Sequence, residues 1–523
     1  MRKLLFFDPY NRLWKQSLAL RNLISGLSSY NCIYIVRCAP KVFDFCTSME
    51  YRGISPDDPE KYRVNICLQC SANQKMLDFP FKLSKNVEIR NLERVESTLD
   101  PLSKLEIDNL FSLGEINNLD KISLYEPLIK YKKTDTDFNE NEMRYFQSCR
   151  KVAHSTYSQA LSLLDEIKPD LVFLSSPQYT STGAFGVAAI ESNTPCYFLE
   201  GGSGISSRYT RIRVWDWTKF RLENPFAKDE NWMYHKYSFG ELSKANLHFK
   251  RIRSGNSYSI WSPTSTGVNI REYFGVPQSN RLILLALSSS DEVYSALAIN
   301  GFSKNRFESK VFKTQFEWVE ETIKFVENRP NINVVIRLHP RDFYKAKDSK
   351  TPEISESGYK WLRLLSNTPK NVFVDLPEMR ISMSDYFKFI DVFVTGWSST
   401  ALEALECNIP VITYDYNLPS FPSNLHFSGN TRDQYWNNLM KDDFHVDQTN
   451  YRLNVLKYIA YRDFVKTLKN RATIDEAYIF QNIYRQKVIR RIIRINPNFF
   501  KKLESLMIQS KIDRKKFEEL ISV

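Results

Sequence analysis

No stretch of this chain runs apolar and uncharged for the roughly 18 residues that a membrane-spanning helix needs. The hydrophobic opening is broken by Asp8, which leaves it too short for a signal peptide. The eight cysteines supply one CxxC, Cys67-Leu68-Gln69-Cys70, with no second CxxC and no nearby histidine to complete a zinc set. Several other cysteines fall in apolar runs, where the thiol acts as a small hydrophobe, and this suits a reducing compartment. Repeats and low-complexity segments are lacking. These absences predict a cytoplasmic protein without a metal site. A basic surface spread over the whole protein is lacking too. The net charge is +12, but residues 485–523 carry 11 Lys/Arg against 4 Asp/Glu, a net of +7. The rest is only mildly basic, which argues against a nucleic-acid-binding surface.

What is present is enough apolar sequence for at least two cores: 523 residues, 42% hydrophobic. The aromatic share of 14% reads first as core filler, although aromatic-rich surfaces also meet sugars and membranes. Short β-branched runs bounded by polar residues predict buried parallel strands at 3–7, 32–37, 171–174, 196–199, 282–287, 333–336, 371–374, 391–395 and 410–415. Helix-forming runs alternate with them, the longest at 141–167 and 313–328. The expected fold class is therefore α/β, with two doubly wound, Rossmann-like domains and a helical C-terminal tail. The expected domains are 1–264, with an irregular insertion at about 51–145; 265–435; and a basic tail, 436–523. In the tail, Thr473-Ile474-Asp475-Glu476 has the form of a capping box.

The chemistry concentrates at predicted strand ends, where open parallel sheets hold ligands. Arg337-Leu338-His339-Pro340-Arg341 follows one strand. Arg337 and Arg341 offer fixed charge and paired donors for phosphate. His339 can donate to a phosphate oxygen or pass a proton to a departing one, and Pro340 fixes the turn. The bland alternative is a solvated surface turn. After another strand, Ser398, Ser399 and Thr400 precede a helix start, a ready anion site. Thr400-Ala401-Leu402-Glu403 also reads as a plain capping box, and the two readings are compatible. Glu403 is alternatively placed to hold a ribose hydroxyl. Ser288 and Ser289 open a third polar strand end. In the first half, Glu200 ends a strand before Gly201, Gly202 and Gly204, which allow close backbone approach. It is the candidate general base or nucleophile, weighed against an exposed glutamate beside a glycine turn.

The R-L-H-P-R strand end and the G-W-S-S-T-A-L-E-A-L segment about 60 residues later resemble the HP and S/S-T motifs of bacterial GT-B-fold glycosyltransferases. The similarity is to capsule and lipopolysaccharide enzymes related to β-Kdo transferases, and to bacterial sialyl- and polysialyltransferases. It covers roughly 280–415. It implies two domains facing across a cleft, with His339, Ser398 and Ser399 binding the donor's phosphate and nucleotide. Phe198-Leu199-Glu200-Gly201 is similar to an acidic residue–glycine motif that carries the catalytic base. Sialyltransferases often have two acids there, whereas the first position here is Leu199. A similar HP and serine pair occurs in glycerophosphotransferases that build teichoic acids.

No D-x-D metal motif stands in a matching context, so the leaving phosphate is expected to be managed by side chains and helix dipoles, without a cofactor. The sequence thus predicts a metal-independent glycosyltransferase of surface-polysaccharide assembly. Glu200, His339 and Arg337 would act in catalysis, with Ser288, Ser289, Arg341, Ser398, Ser399, Thr400 and Glu403 on the donor. The expected partners are a CMP- or UDP-linked sugar and a saccharide or lipid-linked saccharide. The basic tail is a candidate peripheral contact with the inner membrane face. The rivals are a polyol-phosphate transferase, a sugar-nucleotide epimerase and a non-catalytic assembly protein.

Overall fold

The computed structural model describes residues 1–9, 23–24, 26–78, 85–95, 98–112, 117–176, 178–201, 211–222, 230–253, 267–301, 309–343, 354–415, 419, 421–441, 444, 448–469 and 514–521. Its strands are β1 (Lys3–Phe7), β2 (Cys32–Cys38), β3 (Val87–Leu92), β4 (Leu171–Ser175), β5 (Cys196–Gly201), β6 (Arg211–Asp216), β7 (Arg281–Ala286), β8 (Ile332–Arg337), β9 (Val372–Asp375), β10 (Val392–Thr395), β11 (Val411–Thr413) and β12 (Leu468–Lys469). Contacts group the chain into two compact units. One comprises Met1–Leu128, Thr136–Phe220 and Asp463–Val523; the other comprises Ile129–Asp135 and Arg221–Arg462. This grouping changes over after Phe220 and Arg462, where the sequence reading places boundaries near 264 and 435.

The first unit holds a seven-stranded sheet in the order β12-β6-β5-β4-β1-β2-β3. β1 to β5 are parallel, while β6 and β12 pair antiparallel at one edge. Alternate side chains of a strand point to opposite faces, and here both faces are covered, as a parallel sheet requires. Leu5, Phe7, Val172 and Leu174 enter one core with Leu164 and Ile167 of the long helix Glu140–Ile167. Leu4, Phe6, Leu171 and Phe173 enter the other with Phe517 and Ile521 of the helix Arg514–Ile521. Phe6 stacks on Phe173 at 4.8 Å between ring centroids. Burying each such ring stabilises the fold by about 1.5–3 kcal/mol.

The long helix starts on a true capping box. Asn139 accepts from Asn141 and Glu142 backbone N–H groups, and Glu142 accepts from the Asn139 N–H in return. It ends at Lys168 in the left-handed conformation. The neighbouring helix Thr180–Glu191 carries Gly186, where any Cβ would run into the buried Trp217 ring.

The described residues add detail to two expectations, one for the polar segment 51–145 and one for the tail. Beside the expected short helices, Lys104–Ser112, Leu119–Ile122 and Tyr125–Tyr131, the segment contains the 19-residue helix Glu60–Asp78 and supplies β3, an edge strand of the sheet. The described parts of the tail are shared between the two units. Within it the helix Gln448–Ala460 belongs to the second unit, while β12 and the helix Arg514–Ile521 belong to the first. The predicted capping box at 473–476 lies outside the described residues, as does most of the basic stretch.

The second unit holds a five-stranded, wholly parallel sheet in the order β11-β10-β7-β8-β9. Its core joins Ile283, Leu285, Val334, Ile336 and Val394 to Trp318, Trp361 and Tyr435. The buried Trp318 indole donates to the Tyr435 hydroxyl at 2.7 Å, so neither polar tip is stranded. Each unit is thus a doubly wound α/β sheet. No described helix is long and apolar enough to cross a membrane.

Candidate functional site

In the second sheet β7 comes first in the chain yet lies in the middle. From it the chain winds to β8 and β9 on one side, then to β10 and β11 on the other. The loops leaving β7 and β10 therefore part in opposite directions, and such a reversal opens a crevice at the carboxyl edge. Three predicted segments stand at that edge on adjacent strands: Ser288-Ser289 after β7, His339 after β8 and Ser398-Ser399-Thr400 after β10.

After β7, the Leu287 N–H continues the ladder to the Arg337 carbonyl at 3.0 Å. The Gln315 side-chain amide then clamps Ser288: its Oε1 accepts from the Ser288 N–H at 2.9 Å, and its Nε2 donates to the Ser288 carbonyl at 3.0 Å. Ser288 is only 4% exposed, and its Oγ finds no hydrogen-bond partner among the described residues. A buried hydroxyl without a partner is costly, of order 1–3 kcal/mol. Ser289 stands at the N-cap of the helix Ser290–Ala298 but does not cap it; its Oγ donates to the Asp291 carboxylate.

After β8 the two arginines are braces. Arg337 donates from Nη1 to Asp375 Oδ2 at 2.7 Å and from Nη2 to the Ile381 carbonyl at 2.8 Å, with its guanidinium over the Tyr386 ring. Arg341 donates from Nε to Asp291 Oδ2 at 2.7 Å and from Nη2 to the Ile129 carbonyl at 2.6 Å. Both guanidinium groups thus hold protein acceptors.

His339 behaves differently. Burial drives its imidazole down to about 4; the Asp291 charge opposes this, and Arg341 and Arg337 add to it. The ring is neutral at pH 7. Its Nδ1 accepts from the Arg341 N–H at 3.3 Å, which assigns the ring proton to Nε2. The neutral ring presents an N–H donor rather than a cation.

After β10, Thr395 Oγ1 donates to the Ala286 carbonyl at 2.9 Å and ties this strand end to β7. Backbone turns follow: the Ala401 N–H donates to the Ser398 carbonyl, and the Leu402 N–H to the Ser399 carbonyl. The expected capping box does not form. Thr400 is itself in the right-handed helical region, and its side chain makes no cap bond. The Thr400 N–H instead donates to Ser398 Oγ at 3.3 Å. Ser399 is exposed; Ser398, Thr400 and Glu403 are half-buried. Burial raises the Glu403 carboxyl to about 7. Its neighbour Glu406 is buried and ion-paired with Arg253 and Arg452.

Sequence reasoning missed Lys132, Asp291, Asp342 and Gln315. Lys132 is buried, and burial together with Arg341 brings its ammonium down to about 8. Burial lifts Asp342 to about 6, against the pull of the Ser355 hydroxyl, which donates to it at 2.7 Å. Nothing in the sequence marks Lys132, which sits in a polar stretch almost 210 residues before the turn it joins. Asp291 carried a signal, as an acid in the first turn after a polar strand end.

In the first unit Glu200 stands near the end of β5, opposite Arg213 of β6. Its Oε2 accepts from Arg213 Nη2 at 2.8 Å and from the Trp215 indole at 3.4 Å, while the side chain keeps 43% exposure. Of the glycines that follow, Gly202 and Gly204 lie outside the described residues. The structure also gathers Cys38 and Cys46 beside the CxxC pair around one small, mostly apolar cavity. Burial raises the Cys38, Cys46 and Cys67 thiols, so they stay protonated. Among the described residues no group of three or more metal-ligating side chains could hold an ion.

No family model matches the sequence, and no curated protein matches it. Solved structures do. The chain is similar to KpsC of Thermosulfurimonas dismutans, described as a β Kdo 2,4 transferase, at 15% identity and a TM-score of 0.34, over 58% of this chain and 81% of that one. It is similar to MnaA of S. aureus in a co-structure with UDP, at 11% identity and a TM-score of 0.27, over 92% and 97%. It is also similar to the spinosyn rhamnosyltransferase SpnG complexed with thymidine diphosphate, at 10% identity and a TM-score of 0.23, over 89% and 96%. At these values no residue of the site takes a role from them.

Proposed function

We propose that this protein is a glycosyltransferase that moves a sugar from a nucleotide-activated donor to a saccharide acceptor. One observation carries the reading. At the strand-order reversal of the second sheet, a buried serine hydroxyl without a partner and a neutral imidazole stand on adjacent strand ends. Both suit the oxygens of a phosphate that gains charge as its bond to the sugar breaks. Ser288 Oγ and His339 Nε2–H donate to those oxygens, and the hydroxyls of Ser398, Ser399 and Thr400 add donors from the next strand. Arg337 and Arg341 hold the turn in place rather than the substrate, and Lys132 supplies the cation close to Arg341. Glu403 takes a ribose hydroxyl. Glu200 takes the proton from the attacking acceptor hydroxyl through Oε1, its other oxygen being held by Arg213 and Trp215.

The test is a thermal-shift screen of the full chain against CMP, UDP, GDP and CDP species, followed by product analysis with saccharide acceptors. A ligand that prefers the native state raises its melting point. One nucleotide class should stabilise the chain, and Ser288→Ala with His339→Ala should lose the shift. Donor turnover without any acceptor would identify an epimerase instead. Failure of every nucleotide to shift the melting point sinks the reading.

A further inference from the structure

We propose that an open cavity in the first unit, beyond the carboxyl ends of β2 and β3, is a distal subsite for an acidic oligosaccharide acceptor. The proposal rests on the transferase reading and adds to it the chemistry and reach of the acceptor.

The cavity has a volume of about 330 Å³, within the size range of small-ligand sites. Its floor is apolar: Val42, Phe43 and Val152 line it, each less than a tenth exposed. Such a floor suits the C–H face of a sugar ring. Its walls offer hydroxyls. Ser155 is 5% exposed, and its Oγ accepts from Gln159 Nε2 at 3.2 Å, which leaves its own proton for a ligand. Ser148 donates to the Arg144 carbonyl at 3.0 Å and keeps lone pairs free to accept.

The rim fixes the charge class. It carries two cations, Arg94 and Lys151, against one anion, Asp44. Arg94 and Asp44 are paired at 3.1 Å, but at 53% and 71% side-chain exposure. A pair so wet holds little free energy, and a ligand carboxylate can replace Asp44 at small cost. Lys151 is exposed, with no ion-pair partner among the described residues. A ligand with a sugar-like body and a carboxylate meets every part of this lining.

The position fixes the size class. β1 to β5 are parallel, so their carboxyl ends share one edge of the sheet, with Glu200 at the end of β5. From β5 the edge runs through β4 and β1 to β2 and β3. With strands about 4.8 Å apart, the cavity lies roughly 14–19 Å from the Glu200 strand end. That exceeds a single sugar ring and falls within reach of an extended oligosaccharide. An acceptor whose growing end lies at Glu200 would place a more distant, charged residue in this cavity.

The experiment is calorimetric titration of the full chain with carboxylated oligosaccharides, from the disaccharide to the hexasaccharide, beside neutral oligosaccharides of equal length. The expected result is tighter binding of the carboxylated series, strengthening as the chain becomes long enough to span the edge. Lys151→Glu should weaken the carboxylated series about tenfold and leave the neutral one unchanged. Ser155→Trp, which fills the cavity, should abolish the gain with length; because Ser155 is buried, Lys151→Glu on the open rim provides the check that does not depend on repacking. Nucleotide thermal shifts on both variants should match the parent chain. Equal binding of neutral and carboxylated series, or a length dependence that survives both variants, overturns the subsite. If nucleotides shift the melting point and no saccharide binds, the subsite alone fails; if nucleotides do not shift it either, the transferase reading fails with it.

Discussion

Arg341 donates from Nε to Asp291 across 2.7 Å, and Asp291 is 1% exposed. The same guanidinium reaches the Ile129 carbonyl, so one side chain joins the turn after β8, the helix Ser290–Ala298 and the segment 129–135. The side chain that the sequence offers for phosphate also braces three segments of the second unit. Breaking a buried pair from one side strands the other charge, at a cost of about 3–5 kcal/mol. Arg341→Ala should destabilise the second unit by that order in urea unfolding. Replacing both partners, Arg341→Leu with Asp291→Leu, should recover much of the loss. If the double variant is as unstable as the sum of the single ones, the two residues do not act as a pair.

His339 supplies a prediction that separates donor from acid. Burial holds its ring at about 4, so it stays neutral through the neutral range. In a protein with six histidines, selective ring labelling and a His339→Gln variant assign its resonance. That resonance should titrate near 4, well below the usual 6.5. His339→Ala should lower turnover on the order of a hundredfold, as loss of a charge-stabilising donor does, and Gln, with an amide donor, should lose less. A ring that titrates at 6.5, or an alanine variant with full turnover, is incompatible with the assignment.

Packing near Gly186 gives a stability test independent of function. The glycine lies in mid-helix, where its flexibility is a cost, yet any Cβ would overlap Trp217. Gly186→Ala should therefore destabilise the first unit by about 1–3 kcal/mol, despite alanine's better helix propensity. Pairing it with Trp217→Leu should narrow the deficit. A stabilised Gly186→Ala variant would show that this helix can shift away from the ring freely.

Much of this architecture was legible because buried parallel strands must be short, apolar and β-branched. The run at 3–7 is β1 residue for residue, and those near 171, 196, 282, 333, 371 and 391 fall within two residues of β4, β5, β7, β8, β9 and β10 at either end. Strands at or next to a sheet edge lack that signature. β3 (Val87–Leu92), at one edge, has only one buried residue, and β6 (Arg211–Asp216), next to the two-residue edge strand β12, carries Arg211 and Arg213, so neither presents a continuous apolar run. The candidate site was legible as strand ends, since polar residues after apolar runs mark the carboxyl edge. Its internal commitments were not. Spacing cannot reveal that Arg337 faces Asp375, 38 residues on, or that Lys132 joins the turn of Arg341. The helix start at Ala401 misled because Thr400-x-x-Glu403 fits a capping box while the backbone at Thr400 is already helical, which turns its side chain away from the cap position.

Glu403 supplies the clearest dependence on pH. Burial raises its carboxyl from the usual 4.5 to about 7. A group whose folded value is raised contributes stability that is fully present below the unfolded value. That contribution is lost as pH rises through the folded one. For Glu403 the window runs from about 4.5 to about 7: in acid the protonated carboxyl sits comfortably, and above neutrality a charge must be held in a half-buried place. Glu403→Gln imitates the protonated form at every pH. At pH 8 the variant should be more stable than the parent by about 2 kcal/mol, after allowing for the part that solvent reaches. For a unit of this size that is a rise of about 4–8 °C in melting temperature. The two curves should converge as pH falls to 4.5. The comparison must be made between variant and parent at each pH, because the half-buried His339 and the buried His426, both held near 4, make the whole chain less stable in acid and would mask the effect in the parent alone. A melting difference that is flat with pH would mean that Glu403 is not a buried acid, and would remove it from the set of groups that can meet an uncharged hydroxyl on the donor.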